Sequence, residues 1–420
     1  MLALGLWGCG EAAPDSASDA APDAAARDDA SAPDAGDWRE AARVDGRFSR
    51  NEWVAIGRLS PPPPRLASPT NRWADHPGAA AWGRALFDDT QLSGDGTVAC
   101  AGCHAPTTAF IDGRGIAVAQ RARVLGSRNT PSIVWSAQHR WQGWAGHADS
   151  IWAQSLAAIE NPREHNLSPL ALVHTVARAH RAAYEPVFGA LPDLSDARRF
   201  PAEGGPGTPA WEAMSPADRD IVLRIESNVG KAIEAHLRTL TPRRLAPFDR
   251  FVAGEREAMS PEARDGLALF LRVGCIHCHN GPMLSDFDFH AIRMPDDPGV
   301  GPDRGRATAL AELAANPFVG WGRYSDDPAS ARPAEPLSVS AEGQFVTPTL
   351  RGVAETAPYG HAGTLATLEA VIRHDAMGGL PPGDPGAVGR VNPNLLAPFH
   401  PTDAEVAALV AFLRALSSPE

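Results

Sequence analysis

Apolar residues recur along most of this chain with the 3.6-residue period of an α-helix, and the two-residue alternation of β-strands is scarce. Several periodic segments begin at a helix-capping residue, such as Ser168 before Pro169, or Thr402, which forms a capping box with Glu405. The predicted helices are Ala79–Phe87, Ser150–Ile159, Ser168–Tyr184, one from Pro216 to about Leu240, one that starts at Ser260-Pro261, one from Thr367 to about His374, and Thr402–Leu416. The pattern therefore predicts a mainly α protein whose helices are joined by long loops.

The N-terminal segment has a different composition. Residues 10 to about 38 are Ala, Asp, Pro and Ser with almost no large apolar residue, which predicts a disordered stalk. The proline run 61–64 and Pro69 predict an extended entry segment, so that stalk and entry together occupy 10–70.

The first nine residues resemble part of a lipoprotein signal. Met1–Gly8 is apolar and leads directly into Cys9, the position of the lipid-bearing cysteine, but the apolar run is short and lacks a basic flank. Cys9 is therefore either a lipid anchor or a spare cysteine. Nothing else in the sequence approaches the 18 or more apolar residues that a membrane span needs.

Length and charge limit the remaining possibilities. A chain of 420 residues is long enough for two domains, which we predict at 71–245 and 246–420, with a join where Pro242, Pro247 and Gly254 cluster. The 50 acidic and 38 basic residues give a net charge of −12, which argues against a nucleic-acid partner and permits a basic redox partner.

Four of the five cysteines form two copies of one motif, Cys100-Ala-Gly-Cys103-His104 and Cys275-Ile-His-Cys278-His279. C-x-x-C-H is the attachment site of a c-type haem, in which both thiols add to the haem and the histidine binds iron. A zinc site is the first alternative, but paired zinc-binding C-x-x-C motifs lie much closer together than Cys100 and Cys275. A disulfide framework is the second, but it is typical of short cysteine-rich chains. The sequence therefore predicts two covalently bound haems, one in each predicted domain.

Further motifs resemble those of the bacterial dihaem cytochrome c peroxidases, a family that includes protein-modifying oxidases such as the enzyme that completes the tryptophan-derived cofactor of methylamine dehydrogenase. The resemblance runs from about residue 78 to 416. The motifs are Gly83-Arg-Ala-Leu-Phe-Asp88, Leu92-Ser-Gly-Asp-Gly-Thr97, Arg128-Asn-Thr-Pro-Ser132, Pro348-Thr-Leu-Arg351 and Thr356-Ala-Pro-Tyr359.

The resemblance implies unequal roles for the two haems. The haem on His104 would react with peroxide, and the haem on His279 would receive electrons from a small cytochrome c or copper protein. Trp144 occupies the position of the family's interhaem tryptophan, which would relay charge, although a tryptophan in a protein of this size is also a common core residue.

Gln154 and Glu164 match the family's peroxide-pocket positions. Cleavage of the O–O bond needs a proton moved from one peroxide oxygen to the other, and a carboxylate above an open iron can carry it. The alternative for Glu164 is a solvated or capping residue after Asn161-Pro162.

The sequence also departs from the family pattern. His147 stands where the family has the arginine of its Trp-Asp-Gly-Arg motif, so we expect the charge there to depend on pH, unless His147 is only a surface residue. The resemblance implies that a loop histidine caps the resting first haem of the classical peroxidases. The segment Ala105–Arg128 contains no histidine, so we expect the first haem iron to be open without prior reduction.

Two further metal contacts stay open. The family's distal ligand position for the second haem falls on Asp375, next to His374 and near Met377, and His and Met are the usual axial ligands. Asn129, with the backbone oxygens of Thr356 and Pro358, resembles the family's interhaem calcium site.

The sequence thus favours a periplasmic dihaem peroxidase that reduces hydrogen peroxide to water. The second hypothesis is an oxidase that uses peroxide to modify Trp or Tyr residues of a partner protein. The third, from another class, is an electron carrier without peroxide chemistry, against which Glu164 argues.

Overall fold

The computed structural model describes residues 44–116, 128–242, 244–331 and 341–418, together with the backbone of two short strands between 118 and 124. Helices dominate it and strands are few, which confirms the predicted mainly α class. The α-helices are α1 (Arg50–Gly57), α2 (Pro77–Phe87), α3 (Cys100–Cys103), α4 (Ile151–Glu160), α5 (Pro169–Thr175), α6 (Arg181–Phe188), α7 (Pro209–Glu212), α8 (Pro216–Leu237), α9 (Pro247–Val252), α10 (Pro261–Arg272), α11 (Arg306–Ala315), α12 (Leu368–Ala376) and α13 (Asp403–Arg414). Two antiparallel ribbons pair β1 (Val118–Ala119) with β2 (Arg123–Val124), and β3 (Phe289–His290) with β4 (Phe345–Val346).

Helix starts agree with the capping residues in the sequence. Ser150, Ser168, Ser260 and Thr367 each accept a backbone hydrogen bond as N-caps, and Thr402 forms its capping box with Glu405. The prediction of one helix over Ser168–Tyr184 is wrong in its middle, because a π turn at Val176–His180 separates α5 from α6.

The first hydrophobic core surrounds α8, which packs against α2 and α4. Trp82, Leu86, Trp152 and Leu156 are among the buried side chains at these contacts. Gly83 allows the closest approach, since a Cβ at this position would lie 1.8 Å from the carbonyl oxygen of Ala232. Any side chain there would push α2 away from α8.

The second core repeats this arrangement around α10 and α13. Gly266 is the counterpart of Gly83, because its Cβ would lie 1.9 Å from the carbonyl oxygen of Ala408. In both halves, a helix with a buried glycine packs closely against a partner helix and comes before a C-x-x-C-H motif. The division into two related haem-binding domains stays a prediction.

Each core also takes side chains from the other part of the chain. Phe48, Ile56 and Leu59 pack into the second core, and Phe318 and Tyr324 pack into the first. Residues 44–59 therefore do not belong to the disordered stalk and extended entry segment predicted over 10–70, because Phe48, Ile56 and Leu59 are buried and a Ser49–Glu52 capping box starts α1.

Along the chain, Leu240 still packs against the first core and Phe248 already belongs to the second, so the change from one core to the other lies in the region of the predicted join. The predicted signal at 1–9, with Cys9, and the predicted stalk at 10–38 lie outside the described residues. Within the part of the chain that the structure describes, no helix is long and apolar enough to cross a membrane.

Candidate active site

The first C-x-x-C-H motif lies on α3, which follows a tight turn. Ser93 Oγ accepts a hydrogen bond from the backbone of Val98 at 3.0 Å, which fixes the chain just before Cys100. His104 follows the helix, and its Nδ1 lies 2.9 Å from the carbonyl oxygen of Phe110. Donation from Nδ1–H to this carbonyl sets the tautomer and leaves Nε2 as an acceptor for a metal. Burial also lowers the pKa of His104, which keeps the imidazole neutral.

The second motif is built in the same way. His279 Nδ1 lies 3.0 Å from the carbonyl oxygen of Leu284, and burial lowers the pKa of this histidine too. Phe110 and Leu284, which supply the two carbonyls, both have left-handed backbones with φ of 59° and 49°. Sequence reasoning missed both residues, because neither is a glycine or asparagine that would signal such a conformation.

Both motifs line one continuous cavity of about 1270 Å³. All four motif cysteines are free thiols rather than disulfide partners. Free thiols beside a neutral histidine with one nitrogen open to a metal match the requirements of a c-type haem at each motif. The residues present therefore fit two covalently bound haems in a shared cavity.

Glu164 and Gln154 line the same cavity as His104. Gln154 lies on α4, and Glu164 follows the end of that helix, where its Oε1 accepts a hydrogen bond of 2.8 Å from the side chain of Asn161. Burial raises the pKa of Glu164 to about 7, against the opposing effect of this hydrogen bond. Gln154 Oε1 is buried and has no hydrogen-bond partner among the described residues. The wall thus holds a carboxyl that exchanges protons near neutral pH and an unpaired amide oxygen.

Trp144 lies where the two halves of the chain meet. Its indole Nε1 donates to the carbonyl oxygen of Asn129 at 2.9 Å, and its own carbonyl accepts from the backbone of Val346 at 2.8 Å. The residue lines the cavity that the two motifs share. This location suits the predicted relay, and the role itself stays a prediction.

His147 also lines the cavity, so it is not a surface residue. Burial, with a smaller effect of the Arg128 charge, lowers the pKa of His147 to about 4. The expectation that this histidine changes charge near neutral pH is therefore wrong, because a buried imidazole beside a cation stays uncharged.

A cation reaches the turn at Ala145 and Gly146 from a distant part of the sequence. Arg306 donates to the carbonyl oxygens of Ala145 and Gly146 at 3.2 and 2.6 Å and lies over the rings of Trp141 and Phe289. Sequence reasoning missed Arg306, since nothing local in the sequence links it to residues 145 and 146.

The three candidate distal ligands of the second haem occupy different environments. Asp375 lines the cavity, and its charge acts on His279 and Cys275. His374 is buried, with Nε2 3.0 Å from the carbonyl oxygen of Arg293 and Nδ1 3.0 Å from Asp375. Met377 is 63% exposed and lies outside the cavity lining. The geometry favours Asp375 over the chemically more usual histidine, and the ligand stays a prediction.

The structure also brings together parts of the predicted calcium site. The side-chain amide of Asn129 donates to the carbonyl oxygen of Pro358 at 2.7 Å, while Asn129 Oδ1 is buried without a partner. Thr356 lines the same part of the cavity. A cation bound by these oxygens would need Oδ1 in place of the amide nitrogen, an orientation that differs by a flip of the amide. Calcium also stays a prediction.

Comparisons with known proteins agree with this geometry. The model of the family "Di-haem cytochrome c peroxidase" matches residues 77–257. The cytochrome-c peroxidase IdrP1 of Denitromonas iodatirespirans is 33% identical over 388 residues, which cover 87% of this chain and 89% of that protein. The methylamine utilization protein MauG of Methylorubrum extorquens is 30% identical, covering 90% of this chain and 86% of that protein.

A solved structure shows the same fold. The crystal structure of a MauG-like protein associated with microbial copper homeostasis aligns with a TM-score of 0.60 and 25% identity, covering 86% of this chain and 94% of that one. With both attachment motifs on one cavity and relatives matched over most of their length, the chain belongs to the di-haem cytochrome c peroxidase family.

Proposed function

We propose that this protein reduces hydrogen peroxide to water at the His104 haem, with electrons that enter at the His279 haem from a small redox protein. The observation that carries the proposal is the position of Glu164, a carboxyl with a pKa of about 7 in the wall of the cavity that His104 lines. We also propose the periplasm as its compartment, because c-type haem is normally attached outside the cytoplasm.

The haem on His104 would supply peroxide binding and electron transfer. The chain supplies proton movement and orientation. Glu164 Oε1 is held by Asn161, so the remaining oxygen of this carboxyl is the one that accepts a proton from one peroxide oxygen and returns it to the other. The unpaired Oε1 of Gln154 would accept a hydrogen bond from the peroxide O–H and fix its orientation.

Trp144 would connect the two haems. Its indole is held by one hydrogen bond to Asn129, and its backbone is held by another from Val346. A carbonyl oxygen at the indole N–H stabilises positive charge on the ring, which favours transient oxidation of this residue.

Glu164→Gln tests the proposal. We expect the variant to keep both haems and to react with excess peroxide about 10²–10⁴-fold more slowly in stopped-flow mixing, because glutamine cannot accept and return a proton. Glu212→Gln is the matched control, since that carboxyl is 55% exposed and remote from the cavity lining. If Glu164→Gln reacts as fast as the parent protein, the carboxyl is structural and the proposal fails.

A second candidate is an oxidase that modifies a partner protein. Similarity to MauG over 90% of this chain, at 30% identity, favours it, as does the absence of histidine from Ala105–Arg128. The lack of tyrosine at position 375 counts against it. Peroxide consumption with a reduced cytochrome donor distinguishes the peroxidase, and consumption that needs a protein substrate distinguishes the oxidase. An electron carrier would consume none.

A further inference from the structure

A second carboxyl reaches the cavity wall from the helix that carries Gln154. It belongs to Glu160, the last residue of α4. Glu226 of α8 lies against it and is completely buried. In the described part of the chain, neither carboxyl oxygen of Glu226 meets an N–H or hydroxyl donor, and the group that interacts with it is the Glu160 carboxyl, with which it can share a proton.

A hydrogen bond between two carboxyl groups requires a proton on one of them. Burial raises the pKa of both residues, and for Glu226 the charge and the hydrogen bond of Glu160 add to this effect. The pair therefore holds one shared proton at neutral pH, because two adjacent buried carboxylates would repel each other.

The groups on the other helices that pack against α8 have different partners. In the described part of the chain, the charges of Arg84 on α2 and of Asp88 at its end act on His236, further along α8. His174 of α5 lies within hydrogen-bond distance of two backbone carbonyl oxygens. Tyr184 of α6 accepts a hydrogen bond from Asn228 of α8. Glu160 is thus the group that controls the protonation of Glu226.

Stability does not account for this pair. Burying a carboxyl without a cation or backbone donors costs free energy that an apolar residue would not. Glu234, two turns further along α8, is equally buried, but it accepts a hydrogen bond from the backbone of Trp152 and is stabilised by the charge of Arg238. Glu226 lacks such partners and lies behind a residue of the cavity wall.

We propose that the Glu160–Glu226 pair is a proton donor for peroxide reduction, an inference that rests on the proposed function. One H₂O₂ takes up two electrons and two protons, its O–O bond breaks, and each oxygen leaves as water. The electrons come from the redox donor, and the protons must enter a largely buried cavity. Glu160 passes the shared proton to the peroxide, solvent water outside the cavity reprotonates the pair, and the second proton follows by the same route. Glu226 touches no substrate and is a positioning residue that holds the shared proton and hands it to Glu160.

The test compares Glu226→Gln, Glu160→Gln and Glu234→Gln in the haem-loaded protein. We expect Glu226→Gln and Glu160→Gln each to slow the reaction with peroxide roughly 10-fold and to change its solvent deuterium isotope effect. This loss is smaller than that of a group that contacts peroxide directly, because water in the cavity partly replaces the pair as proton donor. Glu234→Gln is the matched control, with the same substitution on the same helix, and should react like the parent protein.

A second readout is independent of turnover. The infrared carbonyl band of a protonated carboxyl should be present at neutral pH in the parent protein and in Glu234→Gln. Glu226→Gln should remove one carboxyl component from this band and Glu160→Gln should shift that component, because the buried Glu226 keeps its proton when its hydrogen-bond partner is replaced. Glu160→Gln, at the cavity end of the pair, keeps the test valid if Glu226→Gln does not fold.

The outcomes separate the two proposals. If the parent protein reduces peroxide while both pair variants react at the parental rate, the proton-donor inference is wrong and the proposed function stands. If the band has the same intensity and position in both variants as in the parent protein, the shared proton is absent and the inference is again wrong. If the parent protein consumes no peroxide with a reduced donor, the proposed function itself fails.

Discussion

Arg351 and Asp249 form a bidentate ion pair whose side chains are only 2% and 1% exposed. The two guanidinium nitrogens lie 2.9 and 3.0 Å from the two carboxylate oxygens. Asp249 also accepts hydrogen bonds from Ser60 Oγ and from the backbone of Ala246. Arg351 lines the cavity, so the pair connects the cavity wall to α9 and to the segment that precedes Pro61.

We expect Asp249→Asn to lower the free energy of unfolding by about 3–5 kcal/mol, because it leaves the buried Arg351 charge without its partner. Denaturant titration of the haem-loaded protein measures this loss. The neighbouring Arg250→Ala is the control, since its ion pair with Glu255 is exposed and should leave the midpoint nearly unchanged. Equal midpoints for the two variants would show that the buried pair contributes little.

The pH dependence of the peroxide reaction should follow Glu164. Burial raises the pKa of this carboxyl to about 7, and only the ionised form accepts a proton from peroxide. The rate should therefore be low below pH 7, rise through about 7 and level off above it. This rise should be absent in Glu164→Gln. His147 should not contribute, because its pKa is lowered to about 4. A rise that persists unchanged in Glu164→Gln would assign the titration to another group.

The sequence predicted those features that depend on neighbouring residues. Capping residues such as Thr402 located helix starts, and the two C-x-x-C-H motifs located the cavity, because these signals act over a few residues. The Ser49–Glu52 capping box is present in the same form, yet the prediction assigned this region to the stalk and entry segment over 10–70. The burial of Phe48 explains why this segment is ordered.

Features that depend on distant residues could not be predicted. Arg306 reaches the turn at Gly146, and Glu226 reaches Glu160, only because helices from different parts of the chain pack together. His374 is a candidate iron ligand in the sequence because histidine is a usual axial ligand of haem. In the structure the orientation of α12 directs His374 to the carbonyl of Arg293 and leaves Asp375 in the cavity wall.

Calcium binding is tested by metal content. We expect one calcium ion per chain in the purified haem-loaded protein and its loss in Asn129→Ala, because the buried Oδ1 of Asn129 has no other partner. Elemental analysis after gel filtration in calcium-free buffer measures this content. Asn228→Ala is the control, since its amide is bonded to Tyr184. The same calcium content in all three proteins would exclude Asn129 as a ligand.

The last prediction concerns the sixth ligand of the second haem. Asp375 lines the cavity and acts electrostatically on His279, so Asp375→Ala should remove an axial ligand and change the electron paramagnetic resonance signal of this haem. Electron paramagnetic resonance of the diferric protein measures the spin state. Met377→Ala should leave the spectrum unchanged, because this side chain is 63% exposed and lies outside the cavity lining.

His374→Gln distinguishes the remaining alternative. Both ring nitrogens of His374 already have partners, so its replacement should loosen the end of α12 without changing the spin state of the haem. A carboxylate ligand also favours ferric over ferrous iron, because its negative charge stabilises the higher oxidation state. Asp375→Ala should therefore raise the reduction potential of the second haem as well. An added high-spin signal in His374→Gln, with no change in Asp375→Ala, would assign the iron to the histidine and show that α12 turns when haem is bound.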